Sequence, residues 1–466
     1  MIIGIDASRA FLKERTGIEE YSYQVIKSLR GKLKNHPAST RGNDRSSALT
    51  RIDISSNRGE LMRGWQVVLY LRKDQSIDFD LPADWQVRVI RLPYLWTQLG
   101  LSLEMLWRPV DTLFIPSHTV PIIHPARNAS IFSLALFIQK ILKRLKIATE
   151  YNVTHSDAGG PKNTVVTVHG LEYEVMPQAY SFLARIYMRL SIKKSCLWAE
   201  KIIAVSENTK KDLMRIYGVP ERKISVVYEG VAESNFEFRI SPPRLAETTA
   251  RRREAGNFES NFNDQISNFQ TKVGLENSKP EIDSKIKIKN SKFLLFIGRL
   301  EERKNIAGMI KAFGILKEQY HIPHKLVLAG KFGYGEKEIC QAMKAASYPE
   351  DIVCAGFVRE EEKWALLKEA DIFLFPSFYE GFGLPVLEAQ SVGVPVVTSN
   401  VSSLPEIGAD SVAYCDPTEP VSIADAVYSI ISDQGRKNDI IKKGLENVKR
   451  FSWDKCAEEI ARLLND

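Results

Sequence analysis

The chain has 466 residues, more than one ordinary hydrophobic core accommodates, and its length predicts two domains. With 44 % hydrophobic and 26 % charged residues it has the composition of a globular protein, which excludes a fibrous or wholly disordered chain. The net charge of +7 suits phosphate-bearing ligands or an anionic membrane surface and does not by itself indicate nucleic acid.

Cysteine usage and the amino terminus set the expected compartment. The five cysteines show no Cys-x-x-Cys or Cys–His spacing, which argues against a zinc site or a disulfide framework and favours a reducing environment. The opening "MIIGIDASRA" lacks the pattern of a signal peptide, and no apolar run reaches the roughly 18 residues of a membrane-spanning helix. We therefore expect a cytoplasmic protein, with peripheral attachment to the inner face of the membrane as an option.

The first half of the chain alternates short apolar runs with helical stretches. "MIIGIDA" predicts a buried strand, and the following segment repeats apolar residues at helical spacing. That helix would present Ile18, Tyr21, Val25 and Leu29 on one face. Further strand-like runs occupy 65–71, 85–92, 111–116, 164–169, 201–206 and 224–230. This rhythm predicts a parallel α/β sheet.

The same rhythm restarts in the second half. Strand-like runs occupy 293–300, 324–330, 351–356, 370–377, 394–399 and 411–416. The sequence thus predicts two doubly wound α/β domains, 1–236 and 291–450, with a ligand cleft at the carboxyl ends of their strands. Residues 451–466 predict a helix that packs back toward the first domain.

Three segments interrupt the pattern. Residues 35–64 predict a long surface loop, and 237–290 predict a polar, disordered insertion, with a small ordered lobe as the alternative. Residues 129–149 carry apolar side chains on one helical face and lysines and arginine on another. This pattern fits a helix that contacts an anionic membrane surface, or a core-facing helix with a solvated basic edge.

The stretch "SFYEGFGLPVLEAQ" (377–390) joins a glycine-rich turn to a helix start. The glycines at 381 and 383 allow a sharp turn and close approach to a ligand, and Pro385 suits the first helical position. Such a helix start favours phosphate or electron-rich sugar oxygens. Glu388, about one turn in, could accept two hydrogen bonds from a diol such as ribose, and Glu380 could accept from another hydroxyl group.

A second motif, "FIGRLEERKNIAGMI" (296–310), supplies cations. Arg299 and Lys304 flank a turn that follows a predicted strand, where they could neutralise a diphosphate. Charged residues in one turn are usually solvated, so this motif is informative mainly in combination with Glu380 and Glu388.

Together these segments resemble the retaining, nucleotide-sugar-dependent glycosyltransferases of family 4 (group 1), which have the two-domain GT-B fold. The segments that carry the resemblance are "GRLEERKNI", "GFVREEEKWALLKEADIFLFPSFYEGFGLPVLEA" and "GVPVVTSNVSSLPEI", with Glu380 and Glu388 forming the E-x7-E signature. The first half matches more loosely, through "TGIEEYSYQV", "PSHTVP", "TVHGLEYEVMP" and "AVSENTKKDL".

The resemblance implies roles for individual residues. Arg299 and Lys304 would hold the donor diphosphate, Glu388 the ribose and Glu380 the transferred sugar. Backbone groups of Gly381, Phe382, Gly383 and Leu384 would contact sugar and phosphate, while Phe357 and Val358 would lie near the nucleobase. Gly17 would close on the donor from the acceptor-side domain. His169 would face the transferred sugar and the acceptor, with a buried structural histidine as the alternative, and His118 would line the acceptor side.

The resemblance also implies a reaction. A hexose would move from a nucleoside-diphosphate sugar to a glycan or lipid-linked acceptor of a cell-surface polysaccharide, with GDP-mannose favoured from "TSNVSSLPEI" and a UDP-hexose as the alternative. No protein nucleophile is required. No cofactor or metal is expected, since the two cations suffice and the Asp-x-Asp at 78–80 fits a solvated loop. A nucleotide-sugar epimerase and a non-catalytic nucleotide-sugar-binding module remain the alternative functions.

Overall fold

A computed structural model describes most of both predicted domains. The described residues are 1–12, 15, 17–33, 66–73, 75–92, 96–120, 161–231 and 291–465. The predicted loop 35–64, the amphipathic segment 129–149 and the insertion 237–290 lie outside the described residues.

The first domain is built on a parallel sheet. Its described strands are β1 (Ile2–Asp6), β2 (Gln66–Arg72), β3 (Trp85–Ile90), β4 (Thr112–Ile115), β5 (Asn163–Val168), β6 (Lys201–Ala204) and β7 (Ile224–Val226). They lie in the order β3-β2-β1-β4-β5-β6-β7, with every neighbouring pair parallel. Most residues of the central strands are buried, because helices cover both faces of such a sheet.

Helices of the first domain connect these strands. They are α1 (Gly17–Lys32), α2 (Ser102–Trp107, after a π-helical turn at Trp96–Leu101), α3 (Glu172–Val175), α4 (Phe182–Trp198) and α5 (Glu207–Tyr217). In α1 the predicted apolar face is present: Tyr21, Val25 and Leu29 are fully buried, and Ile18 is half-buried. The Ser206 side chain caps α5 by accepting from Thr209 N at 3.0 Å, and Gly218 ends it at φ 64°.

The second domain repeats the plan. Its strands are β8 (Phe293–Ile297), β9 (Lys325–Ala329), β10 (Ile352–Gly356), β11 (Ile372–Phe375), β12 (Val396–Ser399) and β13 (Ala413–Cys415), in the parallel order β10-β9-β8-β11-β12-β13. Its helices are α6 (Ile306–Tyr320), α7 (Glu336–Lys344), α8 (Glu360–Glu369), α9 (Leu384–Ser391), α10 (Leu404–Gly408), α11 (Pro420–Ile431) and α12 (Gln434–Val448). The predicted α/β architecture of two doubly wound domains is confirmed.

Strand order locates the crevice in each sheet. In the first sheet the winding direction reverses between β1 and β4, and in the second it reverses between β8 and β11. Loops that leave the carboxyl ends of neighbouring strands diverge at such a reversal and open a crevice there, where ligands bind in doubly wound folds. The loops after β1, β4, β8 and β11 are therefore the places to look for a site.

The last helix, α13 (Trp453–Asn465), belongs to the core of the first domain. It packs along α1, with the Trp453 and Tyr21 ring centroids 5.9 Å apart. Cys456 and Ile460 are buried in the same cluster. Backbone contact fixes the start of α13, because a Cβ on Gly230 would lie 2.2 Å from Trp453 N. The chain thus crosses from the second domain back to the first. In the part of the chain that the structure describes, no helix is both long and apolar enough to cross a bilayer.

A partly buried ion cluster ties α12 to the second sheet. Asp371, which precedes β11, lies 3.2 Å from His324 Nε2 and 3.1 Å from Lys437 Nζ. The hydrogen bond from His324, opposed by burial and reinforced by Lys437, lowers the pKa of Asp371 to about 2. Because the folded pKa lies below the ordinary 3.8, this carboxylate stabilises the fold above about pH 4 and loses that effect as the pH falls toward 2.

Replacing this carboxylate should therefore have a pH-dependent cost. We expect Asp371→Asn to lower the free energy of unfolding by about 1 kcal/mol at pH 7, after allowance for solvent screening. The difference from the wild type should shrink as the pH falls from 4 toward 2. Urea unfolding across this range measures it, with Asp410→Asn as control, since Asp410 is 82 % exposed. A difference that is independent of pH would contradict the ion cluster.

Candidate active site

The two domains touch through backbone at the glycine-rich turn. A Cβ on Gly381 would lie 1.5 Å from the carbonyl oxygen of His169, so only glycine fits between the loops that follow β5 and β11. The carbonyl oxygen of Gly381 accepts hydrogen bonds from Ser206 Oγ (2.7 Å) and Thr209 Oγ1 (3.2 Å) of the first domain. The predicted sharp turn is thus also the point where the domains meet.

Further contacts from both sides align the domains. The Tyr379 hydroxyl group donates to Asp212 Oδ2 at 2.8 Å and accepts from Leu171 N at 3.3 Å. The Glu406 carboxylate accepts from Glu207 N at 2.8 Å and Asn208 N at 3.3 Å, which places a negative charge at the start of α5.

The Phe382 side chain takes part in this interface. It is buried against Tyr228 and Phe451, with ring centroids 6.2 and 5.8 Å away. The sequence predicts a ligand contact through the Phe382 backbone, and its buried side chain leaves only the backbone available for that contact.

The centre of the site is the Glu380 carboxylate, which two cations hold. Lys304 Nζ lies 2.5 Å from Oε1 and Arg303 Nη1 lies 3.0 Å from Oε2. Arg303 also binds Glu301 at 2.7 Å and donates to the carbonyl oxygen of Tyr379 at 2.8 Å. Glu380 is 7 % exposed, so this pairing is what allows a charged group to be buried here.

The two cations favour the ionised form of Glu380. Burial alone would raise the pKa of Glu380, but Arg303 and Lys304 outweigh it and hold that pKa below its ordinary value. Burial opposes the charge of Arg303, yet Glu380 and Glu301 raise its pKa. Burial and the neighbouring Arg303 lower the pKa of Lys304, against the pull of Glu380. Lys304 has three N–H donors, so its bond to Glu380 leaves two for a ligand.

These charges stand at the crevice of the second sheet. Arg303 and Lys304 follow β8, and Glu380 follows β11, the two strands between which the winding reverses. Lys304 Nζ also lies 4.8 Å from the centroid of the Phe375 ring, at the end of β11. The site therefore occupies the position at which this fold class binds ligands.

Arg299 is placed differently from Lys304. It is exposed, and its side chain makes no hydrogen bond or ion pair with any residue that the structure describes. A Cβ on Gly333 would lie 2.7 Å from Arg299 Cδ, so the arginine stem lies against that glycine. The sequence predicts that Arg299 and Lys304 act together; in the structure Arg299 is exposed, whereas Lys304 is buried.

Glu388 lies on α9 and has its own cation. Its Oε1 is 2.7 Å from Lys363 Nζ, which also lies 2.8 Å from Glu360. Burial opposes the charge on Lys363, but Glu388 and Glu360 raise its pKa. The Glu388 side chain remains 19 % exposed, so the pairing with Lys363 does not remove it from solvent.

The helix start itself differs slightly from the predicted one. Gly383 takes φ 122° as the N-cap, α9 begins at Leu384, and Pro385 is the second helical residue. The Val386 N–H group already donates to the Gly383 carbonyl oxygen at 3.0 Å. The N–H group of Val386 is therefore not available to a ligand at this helix start.

The remaining donor-side residues are separate from the charge cluster. Phe357 and Val358 follow β10 and are half-buried, and Lys331 Nζ lies 4.4 Å from the centroid of the Phe357 ring. Gly17 is the exposed first residue of α1, and a Cβ there would meet no atom within 4 Å among the described residues. In the described part of the chain, no hydrogen bond or ion pair joins these residues to Glu380.

Two histidines line the first-domain side. His118 follows β4, next to the crevice of that sheet, and His169 follows β5. Their ring centroids are 5.2 Å apart, and His118 Nδ1 accepts from His169 N at 3.3 Å. Burial, with contributions from His169 and Arg9, lowers the pKa of His118 well below 6.5, so His118 is neutral.

Both ring nitrogens of His169 are engaged. Nε2 lies 2.8 Å from the carbonyl oxygen of Pro116, which can only accept, so Nε2 carries a proton. Nδ1 lies 3.1 Å from Glu229 Oε1, within hydrogen-bonding distance. These contacts fix the imidazole of His169 in one orientation. The backbone carbonyl group of the same residue faces Gly381.

Sequence reasoning missed the residues that hold the predicted ones. Arg303, Glu229 and Lys363 orient Glu380, His169 and Glu388 respectively. Arg303 stands within "GRLEERKNI", Lys363 within "GFVREEEKWALLKEADIFLFPSFYEGFGLPVLEA", and Glu229 within the strand-like run 224–230. None of these segments gives a signal for the partner, because the pairs join residues 25 to 77 positions apart.

Comparisons with known proteins identify sequence relatives of both domains. Residues 278–447 match the family described as glycosyl transferases group 1, and residues 61–234 match glycosyltransferase family 4. Escherichia coli O-antigen chain mannosyltransferase B is 28 % identical over 298 residues, which cover 64 % of this chain and 69 % of that protein. An uncharacterized glycosyltransferase of Methanocaldococcus jannaschii is 30 % identical over 275 residues, covering 58 % of this chain and 60 % of its own.

The fold has solved counterparts. The crystal structure of Anabaena HepE in complex with UDP and glucose superposes with a TM-score of 0.57 at 16 % identity, covering 100 % of this chain and 99 % of that one. Two Rossmann-like domains with a cleft between them define the GT-B class. The second half of the chain therefore matches the group 1 glycosyltransferases and the first half matches glycosyltransferase family 4, and the chain is an enzyme of this class, a glycosyltransferase.

Proposed function

We propose that this glycosyltransferase moves a hexose, with retention of anomeric configuration, from a nucleoside-diphosphate sugar to a glycan or lipid-linked acceptor in cell-surface polysaccharide synthesis. The observation that carries the proposal is the buried Lys304–Glu380 pair at the crevice of the second sheet, 2.5 Å between Nζ and Oε1. A cation for phosphate and a carboxylate for sugar hydroxyl groups are thereby held side by side.

The donor diphosphate is assigned to Arg299 and Lys304. Cleavage of the sugar–phosphate bond builds negative charge on the leaving diphosphate, and preorganised cations stabilise that charge without reorganisation. Arg299 is solvated and free of partners among the described residues, so a diphosphate could recruit it without breaking an ion pair. Lys304 keeps its carboxylate partner and offers its remaining donors.

The sugar and ribose are assigned to the two glutamates. Glu380, ionised between Arg303 and Lys304, would accept from hydroxyl groups of the transferred hexose. Glu388, held by Lys363, would accept from the ribose diol. Backbone groups of Gly381 to Leu384 would complete the cradle.

The remaining assignments complete the two sides of the cleft. On the donor side, Phe357 and Val358 would flank the nucleobase, and Gly17 would approach the donor from the first domain. On the acceptor side, His169 and His118 would bound the space where the incoming hydroxyl group arrives.

GDP-mannose is the favoured donor and a UDP-hexose the alternative. The relative named as a mannosyltransferase supports the first, and HepE, whose structure holds UDP and glucose, supports the second. GDP-mannose and UDP-glucose differ in the base and in the configuration at C2 of the sugar, so direct binding separates them.

The donor test combines binding and turnover. We expect GDP to raise Tm more than UDP does, and GDP-mannose to release GDP slowly in the absence of acceptor. The first sugar released should have the anomeric configuration of the donor, read by proton NMR. A larger increase in Tm with UDP than with GDP would favour a UDP-hexose over GDP-mannose as the donor. A product with the opposite anomeric configuration would contradict a retaining reaction. Interconversion of the nucleotide sugar without nucleotide release would point to an epimerase.

We also propose that the reaction needs no divalent ion, because Arg299 and Lys304 supply the positive charge that a metal would otherwise bring. Activity should persist in EDTA, with added Mg²⁺ or Mn²⁺ changing the rate little. Loss of activity in EDTA that Mn²⁺ restores would show that the two cations are insufficient.

A further inference from the structure

Helix α4 (Phe182–Trp198) turns large apolar side chains toward solvent. Leu183 is 78 % exposed, and Phe182 and Leu197 are each 67 % exposed. The other exposed apolar residues of this helix are Ile186, Tyr187 and Leu190. Single exposed apolar residues are common on protein surfaces, but a contiguous group of six on one helix marks an interaction surface.

Helix α4 exposes more of its large apolar side chains than it buries. At 100° per residue the six apolar side chains fall within an arc of about 140°. The opposite side of the same helix packs on the protein core, and it buries Ser191 and Ser195 together with Ile192 and Cys196. Two serines thus occupy the inward side beside Ile192 and Cys196, while six large apolar residues face outward, which packing within the described fold does not explain.

The charge on this helix has one sign. Its charged side chains are Arg185, Arg189, Lys193 and Lys194, and it contains no aspartate or glutamate. Arg189 forms a salt bridge with Glu174 of α3, whereas Lys193 is exposed and makes no ion pair with the residues that the structure describes. Lys193 and Lys194 fall near the two edges of the apolar arc, where long cationic side chains can extend past an apolar surface.

We infer that α4 docks on an anionic lipid surface. The apolar arc would enter the boundary between headgroups and acyl chains, and the flanking lysines would lie at the level of the phosphates. Charge complementarity selects this occupant, because anionic headgroups match a helix edged by cations and free of carboxylates. The surface differs from the amphipathic segment 129–149, and it consists entirely of described residues.

The position of α4 relates the lipid surface to the active site. Met176, Ala179 and Tyr180, between His169 and the start of α4, pack against Tyr379 and Phe378 of the second domain. Docking would therefore hold the cleft beside the bilayer, where a lipid-linked acceptor is presented. This consequence for the acceptor rests on the proposed function, but the docking itself does not.

The test measures partition of the full chain onto vesicles. The wild type is expected to co-sediment with vesicles of equal parts phosphatidylglycerol and phosphatidylcholine, and to do so more weakly on pure phosphatidylcholine or in high salt. The double variant Leu183→Asp/Leu190→Asp should bind the anionic vesicles at least about tenfold more weakly, because two inserted side chains become charged. Lys193→Glu/Lys194→Glu should lose the preference for anionic lipid.

The control is Val421→Asp on α11, a residue 51 % exposed on the second domain, which should bind like the wild type. All substituted side chains are exposed, so circular-dichroism melting should be unchanged. Binding of Leu183→Asp/Leu190→Asp to vesicles at wild-type strength would overturn the inference. A second contradicting result would be a wild type that does not bind vesicles and is a dimer in sedimentation velocity, while the double variant is a monomer. The exposed face of α4 would then contact a second copy of the chain. Neither result depends on which sugar donor the enzyme uses, so docking can fail while the proposed function stands.

Discussion

Replacing Arg299 with alanine is expected to lower kcat about 10²–10³-fold while Tm stays at the wild-type value. Arg299 is exposed and makes no ion pair with the described residues, so the fold without donor loses no interaction, while the variant lacks a cation to stabilise the added charge on the leaving diphosphate. Initial rates with saturating donor, together with a melting curve, measure both halves of the expectation. Arg436→Ala, at an exposed position on α12, is the matched control and should retain full activity.

Lys304→Ala should lose a similar amount of activity but not keep its stability. Lys304 is one of two cations that neutralise the buried Glu380, so its removal leaves that carboxylate with Arg303 alone. We expect a lowered Tm in addition to the lower rate, in contrast to Arg299→Ala. A wild-type rate in either variant would contradict the proposal that the substituted residue binds the donor diphosphate.

Replacing Gly381 with alanine is expected to separate the domains at the active site and to lower kcat by about 100-fold or more. The added Cβ would lie 1.5 Å from the His169 carbonyl oxygen, and the backbone on both sides cannot yield as a flexible side chain can. The loops must move apart, which also strains the bonds from Ser206 and Thr209 to Gly381. Steady-state kinetics and small-angle scattering would report the lost activity and the wider cleft.

The matched control is Gly314→Ala on α6, where the nearest atom to a new Cβ would be Ser347 Oγ at 3.9 Å. That variant should keep wild-type activity and gain about 0.5–1 kcal/mol of stability, since alanine favours a helix interior over glycine. Wild-type kcat in Gly381→Ala would show that the enzyme works without this backbone contact.

The fold was predictable because its signals are local. Each strand-like apolar run corresponds to a strand between β1 and β13, and Tyr21, Val25 and Leu29 are buried as their spacing predicts. A buried parallel strand must be apolar along its length, and that requirement is legible in any short window of sequence.

The site was predictable only in part, because pairing across the fold leaves no local signal. The glycine-rich turn, Lys304 and Glu380 could be singled out, yet their meeting depends on two loops 76 positions apart. Arg303 stands one residue from Lys304 and looks like any charge in a solvated turn until Glu380 is brought to it. The outward orientation of Leu183 and Leu190 was equally hidden, since a sequence reader assigns apolar helical residues to the core.

The return of α13 to the first domain has a consequence for synthesis on the ribosome. Trp453 and Ile460 complete the apolar cluster around α1, but they are made only after the whole second sheet. The interval from β7 to the end of α13 takes roughly 10–50 s at about 5–20 residues per second. During that time the nascent first domain carries an uncovered apolar stripe, a natural binding site for a chaperone.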